Sequence, residues 1–75
     1  MNRDIELAVG QSIRILRERA GLTQEQLSAR LQVYGCDITR SALAKIEVGQ
    51  RHLYPDEIMA IKESLGISYD DIFRK

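Results

Sequence analysis

The chain has 75 residues, 44% of them hydrophobic and 29% charged, with 11 basic and 11 acidic side chains. This composition is typical of one small soluble globular domain spanning residues 1–75, and it excludes a disordered chain. No apolar run is long enough to span a membrane, and the N-terminal residues are too polar for a signal peptide. We therefore expect a cytoplasmic protein with no membrane partner.

The residue inventory does not support an enzyme or a metal site. The chain has one cysteine, Cys36, and one histidine, His52. It therefore has no intramolecular disulfide and no Cys/His set for a structural zinc ion. The sequence also contains neither a Gly-x-Ser-x-Gly element nor a glycine-rich phosphate loop. We expect a binding module with no cofactor and no small-molecule ligand.

The charge is unevenly distributed along the chain, although the net charge is zero. Residues 14–51 carry seven basic and four acidic side chains, a net charge of +3. Residues 1–13 (one basic, two acidic) and 52–75 (three basic, five acidic) carry −1 and −2. A weakly basic middle between acidic ends is compatible with a nucleic-acid partner, although the asymmetry is small.

The apolar spacing predicts five helices and no strand. The first helix, at about residues 5–20, has one apolar face at spacings of three and four and ends at Gly21; that face comprises Ile5, Val9, Ile13, Leu16 and Ala20. The second helix, at about residues 24–31, begins with a capping box formed by Thr23 and Gln26. Its buried stripe is Leu27 and Leu31, and the small Ser28 beside it permits close approach of another helix.

A connecting segment, residues 32–38, separates the second helix from the third and is longer than the usual turn of three or four residues. Thr39 caps the third helix, which runs to about Val48 with Leu43 and Ile46 facing inward.

The fourth helix begins near Pro55 and ends at Gly66. Its apolar face is formed by Ile58, Ile61 and Leu65. Ser68 and Asp71 then cap a last short turn.

The second and third helices, at about residues 24–48, together form a helix-turn-helix pattern. In this motif the later helix enters the major groove. The face of residues 40–48 opposite the apolar stripe presents the base-reading candidates Arg40, Ser41, Ala44 and Lys45. Arginine binds guanine through two hydrogen bonds, serine donates or accepts, and a small alanine contacts a thymine methyl. On position alone, an ordinary solvated helix face explains these residues equally well.

Four segments in order resemble the Cro/Xre-type (lambda-repressor-like) family of helix-turn-helix DNA-binding domains. They are QSIRILR at 11–17, GLTQEQL at 21–27, SALAKIEVGQR at 41–51 and LGISYDDIF at 65–73. The resemblance covers about residues 9–73 and implies an all-α, five-helix lambda-repressor-like domain. It also implies a transcriptional regulator that binds double-stranded DNA sequence-specifically. Because a single small module buries too little surface for tight binding alone, we expect it to bind an inverted repeat as a homodimer.

The resemblance further implies roles for individual residues. Base-reading or groove-lining positions of the family match Arg40, Ser41 and Lys45. Phosphate-contacting positions, at the start of the second helix and just past the third, match Thr23, Gln24, Gln50 and Arg51. An internal ion pair between the first helix and the end of the third matches Arg17 and Glu47.

Some alternatives remain open at this point. A protein-interaction module on the same fold, an anti-repressor or antitoxin partner, is the alternative function because the net charge is zero. Candidates for the dimer surface are the C-terminal apolar residues, although completing the monomer core is the favoured role for them; they are Ile67, Tyr69, Ile72 and Phe73. We expect Tyr34 and Cys36 to pack under the long turn, and His52 to lie at the surface.

Overall fold

The computed structural model describes residues 3–73, two residues short of the predicted 1–75 domain at each end. This part of the chain contains five helices and no strand: α1 (Arg3–Arg19), α2 (Gln24–Val33), α3 (Arg40–Glu47), α4 (Pro55–Leu65) and α5 (Tyr69–Phe73). The helices enclose one hydrophobic core. Its fully buried large side chains are Ile13, Leu27, Leu31, Ile38, Leu43, Ile46, Ile61 and Ile72. The predicted all-α, five-helix fold is confirmed.

Side-chain caps set where α2 and α3 begin. Thr23 Oγ1 accepts a hydrogen bond from the Gln26 N–H at 3.1 Å, and Gln26 Oε1 accepts one from the Thr23 N–H at 2.9 Å. Thr39 Oγ1 accepts from the Ala42 N–H at 3.1 Å. Each such cap stabilises its helix by about 1 kcal/mol. Both predicted caps are confirmed.

The α2 helix runs two residues further than predicted, so the connection to α3 comprises residues 34–39. Gly35, at a φ of +76°, ends the helix, and its N–H donates to the Gln32 carbonyl at 3.0 Å. The Cys36 N–H donates to the Leu31 carbonyl at 2.9 Å. These two bonds form a Schellman motif, which requires the left-handed conformation that glycine adopts readily. The rule that placed a helix end at Gly21 applies equally to Gly35.

The reversal at Gly35 also decides which turn residues are buried. Tyr34 is 54% exposed, so the expectation that it packs under the turn is wrong. The left-handed residue redirects the chain so that Cys36 and Ile38, rather than Tyr34, contact the core. The packing expected for Cys36 is confirmed. Ser28 fastens the turn to α2, because its hydroxyl donates to the Ile38 carbonyl at 2.6 Å.

The predicted apolar face of α1 is buried only in its middle. Val9 and Ile13 are buried and Leu16 is partly buried, whereas Ile5 and Ala20 are exposed. Ile5 lies more than one turn before Gly10, where α1 crosses α3, and Ala20 lies in the turn beyond the helix end. Burial therefore follows the position of the crossing rather than the full length of the apolar stripe.

The C-terminal elements complete the core. On α4, Ile61 is fully buried and Ile58 and Leu65 are partly buried. The predicted cap of α5 is present, since Asp71 Oδ2 accepts from the Ser68 N–H at 3.0 Å. Within residues 3–73 no helix is both long and apolar enough to cross a bilayer.

Candidate nucleic-acid interface

The four base-reading candidates lie on one side of α3. At 100° per residue, Arg40, Ser41, Ala44 and Lys45 occupy an arc of about 140°. Ala44 is half-buried and the other three are exposed, while Leu43 and Ile46 on the opposite side are in the core. Among residues 3–73, neither Arg40 nor Lys45 has an ion-pair partner. Both cations are therefore available to an external ligand.

The start of α2 provides donors for an anion. The Gln26 N–H is taken by Thr23, and the N–H groups of Gln24 and Glu25 have no acceptor within the described chain. Free N–H groups and the positive end of the helix dipole make such a terminus a site for phosphate. This is the position at which the sequence predicts phosphate contacts by Thr23 and Gln24.

The starts of α2 and α3 open into one surface depression of about 430 Å³. It is lined by Arg17, Thr23, Gln24, Glu25 and Arg40. The structure therefore places a predicted phosphate-contacting residue, Gln24, beside a predicted base-reading residue, Arg40. A helix-turn-helix needs this juxtaposition, because phosphate contacts fix the register in which the recognition helix reads bases.

A buried hydrogen-bond network lies behind this depression. Arg17 donates to the two carboxylate oxygens of Glu47, from Nε at 2.7 Å and from Nη2 at 3.0 Å. The predicted internal ion pair is therefore present, and the hydrogen bonds that Arg17 donates to Glu47 raise the pKa of Arg17 above its ordinary value. Gln24 Nε2 also donates to Glu47 Oε1, at 3.0 Å. This contact was not predicted, because no local sequence pattern connects residues 23 positions apart.

The loop after α3 contains the other two predicted phosphate contacts. Gln50 is exposed, and its N–H closes the end of α3 by donating to the Lys45 carbonyl at 2.8 Å. Arg51 forms a two-pronged ion pair with Glu57, with both N–O distances at 3.0 Å, and also donates to the His52 carbonyl at 2.9 Å. Arg51 thus links this loop to the first turn of α4, a role that the sequence analysis did not predict.

Glu57 is the centre of the loop's hydrogen bonds. It accepts the Tyr54 N–H at 3.0 Å as well as the Arg51 guanidinium. The hydrogen bonds from Arg51 hold the pKa of Glu57 below its ordinary value, with a smaller effect of the Tyr54 N–H. Glu57 is therefore ionised at neutral pH.

His52 and Cys36 both lie outside the depression at the starts of α2 and α3. His52 is exposed, as expected, and its Nδ1 contacts a Glu6 carboxylate oxygen on α1. Burial, followed by the nearby Glu57, raises the pKa of the Cys36 thiol. A raised thiol pKa is the opposite of what a reactive cysteine requires. Cys36 is therefore a packing residue.

Comparison with known proteins identifies the family. The helix-turn-helix family model matches residues 13–72, which is most of the chain. The chain belongs to the Cro/Xre-type helix-turn-helix family. The match contains α2 and α3 in full and extends into α5.

Two relatives of this helix-turn-helix domain match almost its entire length. Control protein C.BamHI of Bacillus amyloliquefaciens is 32% identical over 73 residues, which is 96% of this chain and 84% of that protein. The crystal structure of the restriction-modification controller protein C.AhdI from Aeromonas hydrophila superposes with a TM-score of 0.79. It is 32% identical, and the match covers 96% of this chain and 100% of that one. The helix-turn-helix domain is a sequence-specific DNA-binding transcription regulator.

Proposed function

We propose that the chain is a restriction-modification controller protein that binds an inverted-repeat operator as a homodimer. The observation that carries this proposal is the match of 96% of the chain to each of two relatives, whose names describe a control protein and a restriction-modification controller protein. A DNA ligand places the protein in the compartment that holds the DNA, which for such a regulator is the cytoplasm.

In this proposal α3 lies in the major groove and reads base edges with the side chains of its outer face. These are Arg40, Ser41, Ala44 and Lys45. The start of α2, with Thr23 and Gln24, binds a phosphate on one side of the groove. Two observations within residues 3–73 support this division: Arg40 and Lys45 have no ion-pair partner there, and the N–H groups of Gln24 and Glu25 have no acceptor there.

Gln50 and Arg51 contact the DNA backbone from the loop after α3. Arg51 has three of its N–H groups committed to Glu57 and the His52 carbonyl. Since a guanidinium carries five N–H donors, two remain for a phosphate oxygen. Arg51 therefore contacts phosphate without leaving Glu57.

The dimensions of the molecule favour a dimer. Half-sites read by a helix-turn-helix dimer lie about 34 Å apart. The longest extent of the Cα trace over the described residues is 29 Å, and each copy has one α3. One copy therefore cannot read two half-sites. A small module also buries too little surface for tight specific binding alone.

We place the dimer contact at an apolar groove of about 210 Å³ at the far end of α3 from Arg40. Its lining includes Ile46 of α3, Leu53 of the following loop, Ile58 of α4 and Phe73 of α5. Phe73 is 49% exposed there, whereas Ile72 is fully buried and Ile67 partly buried. Of the four C-terminal candidates, Ile67 and Ile72 thus belong to the monomer core. Tyr69 is 43% exposed but lies beneath the Lys62 ammonium and outside the groove, so we assign Phe73 to the contact with the second copy.

The test is selection of binding sites from a randomised duplex pool, followed by fluorescence anisotropy on the enriched site across a salt series. We expect an inverted repeat, occupied by two copies, with an affinity that falls steeply as salt rises because phosphate contacts release counterions. We also expect the selected sequence upstream of restriction-modification genes in the source genome. A pool that shows no enrichment would refute DNA recognition, and a site without such neighbouring genes would refute the controller role alone.

A further inference from the structure

We propose that Glu47 is a positioning residue for DNA binding, which holds the Gln24 amide at the DNA-facing start of α2. The inference rests on the proposed function, because it takes Gln24 to be a phosphate contact. Glu47 is itself only 3% exposed and cannot touch DNA. It acts through its hydrogen bond to Gln24 Nε2 at 3.0 Å.

The chemistry of the two groups fixes the orientation of the amide. An ionised carboxylate only accepts hydrogen bonds, so Gln24 must turn its –NH₂ group, and not its oxygen, towards Glu47. One N–H is then committed to Glu47 Oε1, and the second remains for a phosphate oxygen. An amide without this partner also turns its carbonyl oxygen towards the phosphate, and two acceptors repel each other.

Arg17 orients the Glu47 carboxylate, which in turn binds the Gln24 amide. Its Nε and Nη2 bind the two oxygens of Glu47, and its Nη1 donates to the Leu22 carbonyl at 2.8 Å. Leu22 directly precedes Thr23, the cap of α2. The same guanidinium therefore fixes both the side-chain partner of Gln24 and the backbone that leads into α2.

Arg17 also offsets the negative charge that Glu47 places near the phosphate site. A lone carboxylate behind a phosphate site would repel the phosphate, but the charge of Glu47 is offset by a guanidinium 2.7 Å away. Glu47 is the last residue of α3, and Gln24 is the first residue of α2. The network thus ties together the two helices that contact DNA and fixes the phosphate contact relative to the base-reading face.

Positioning and electrostatics predict opposite effects for Glu47→Gln. This substitution removes a negative charge near DNA, so long-range electrostatics alone would strengthen binding. If Glu47 positions Gln24, the affinity for operator falls instead. A net hydrogen bond of ordinary strength corresponds to a loss of about three- to tenfold.

The test is a double-mutant cycle in the full chain with Gln24→Ala, Glu47→Gln and both together. Dissociation constants for the selected operator are measured at a temperature at which circular dichroism shows every variant folded. We expect each single variant to bind about three- to tenfold more weakly, and the double variant to bind no more weakly than Gln24→Ala alone. Glu63→Gln, an equal change of charge at a side chain that is 62% exposed on α4, should not weaken binding.

Other results would overturn the positioning role of Glu47, the phosphate role of Gln24 or the proposed function. Unchanged or tighter binding by Glu47→Gln, or losses that add in the double variant, would overturn the positioning role while leaving the proposed function intact. An unaffected Gln24→Ala variant would overturn both the phosphate role of Gln24 and this inference. Failure of the unmodified chain to select an operator would instead overturn the proposed function, before any variant is compared.

A second measurement needs no variant and so does not depend on whether Glu47→Gln folds. Side-chain ¹⁵N relaxation of the unmodified protein reports the mobility of each glutamine amide on the ps–ns timescale. We expect the Gln24 amide to be nearly as rigid as the backbone, with an order parameter of about 0.85. The order parameter of the exposed Gln32 amide should lie below about 0.6. A Gln24 amide as mobile as that of Gln32 would overturn the proposal.

Discussion

Gly10 of α1 lies so close to Ile46 of α3 that a Cβ atom on the glycine would overlap the Ile46 carbonyl oxygen. This crossing places α1 directly against the last turn of α3, opposite the proposed base-reading face. The backbone of Ile46 cannot retreat without disturbing its buried side chain, which is 1% exposed. The close contact therefore depends on the absence of a side chain at residue 10.

We expect Gly10→Ala to destabilise the protein by about 1–3 kcal/mol, the usual effect of overpacking. Helix propensity alone predicts the opposite sign, since alanine is favoured over glycine in a helix interior by about 1 kcal/mol. Urea denaturation followed by circular dichroism measures the change. Gln11→Ala, at an exposed position on the same helix, is the control and should have little effect. Unchanged or raised stability of Gly10→Ala would show that the helices separate freely at this point.

The buried Arg17–Glu47 pair predicts a non-additive effect on stability. Arg17→Met leaves the Glu47 carboxylate buried without its cation and should cost about 3–5 kcal/mol. Arg17→Met combined with Glu47→Leu should recover most of that loss, because an apolar pair of similar size carries no desolvation penalty. Thermal and urea unfolding of the two variants measure both changes in the free energy of unfolding. A double variant no more stable than Arg17→Met would mean that the pair also holds the packing of α1 against α3.

The outer face of α3 predicts a loss of DNA binding without a loss of stability. Arg40→Ala together with Lys45→Ala should weaken operator binding by at least about thirtyfold, because each base contact contributes about 1–3 kcal/mol. The melting temperature should hardly change, since both side chains are exposed and lack ion pairs among residues 3–73. Anisotropy and thermal melts measure the two effects. The double variant Arg30→Ala and Lys62→Ala removes the same charge elsewhere and serves as the control. An equal loss of operator affinity in both double variants would show that α3 contributes only its net charge.

The Arg51–Glu57 ion pair predicts a pH-dependent contribution to stability. The folded-state pKa of Glu57 lies below its ordinary value of 4.5, so the stabilisation is complete above that pH and is lost as the pH falls through the folded-state pKa. At neutral pH, Glu57→Gln should therefore be less stable by about 1 kcal/mol. The difference from the unmodified protein should shrink below pH 4.5. Urea titrations at several pH values test this, and a difference independent of pH would assign the loss to helix capping instead.

The apolar groove predicts a variant that folds but does not dimerise. Phe73→Lys places a charge at the proposed contact, where Phe73 is 49% exposed. Its melting temperature as a monomer should be nearly unchanged, while analytical ultracentrifugation should show loss of self-association. Tyr34→Lys alters an aromatic residue of similar exposure, 54%, on the turn before α3 and should still dimerise. Intact dimers of Phe73→Lys would move the contact to another surface.

Local chemistry in the sequence was sufficient to predict most of the fold. The caps at Thr23 and Thr39, the stop at Gly66 and the buried stripe of Leu43 and Ile46 all lie where the sequence placed them. Each depends on residues within about four positions of one another, because caps and helix faces are local interactions. The family and the polar face of α3 followed from the same local patterns.

Most of the long-range contacts were decided by the tertiary structure, whereas the Arg17–Glu47 pair followed from the family resemblance. The Gly10–Ile46 crossing, the Gln24–Glu47 hydrogen bond and the commitment of Arg51 to Glu57 were not predicted. A periodic pattern states which face of a helix is apolar, but not which helix will cover it or where the crossing falls. For that reason the sequence predicted the outward face of α3, whereas helix packing decided that Gln24 binds Glu47 and that Arg51 binds Glu57.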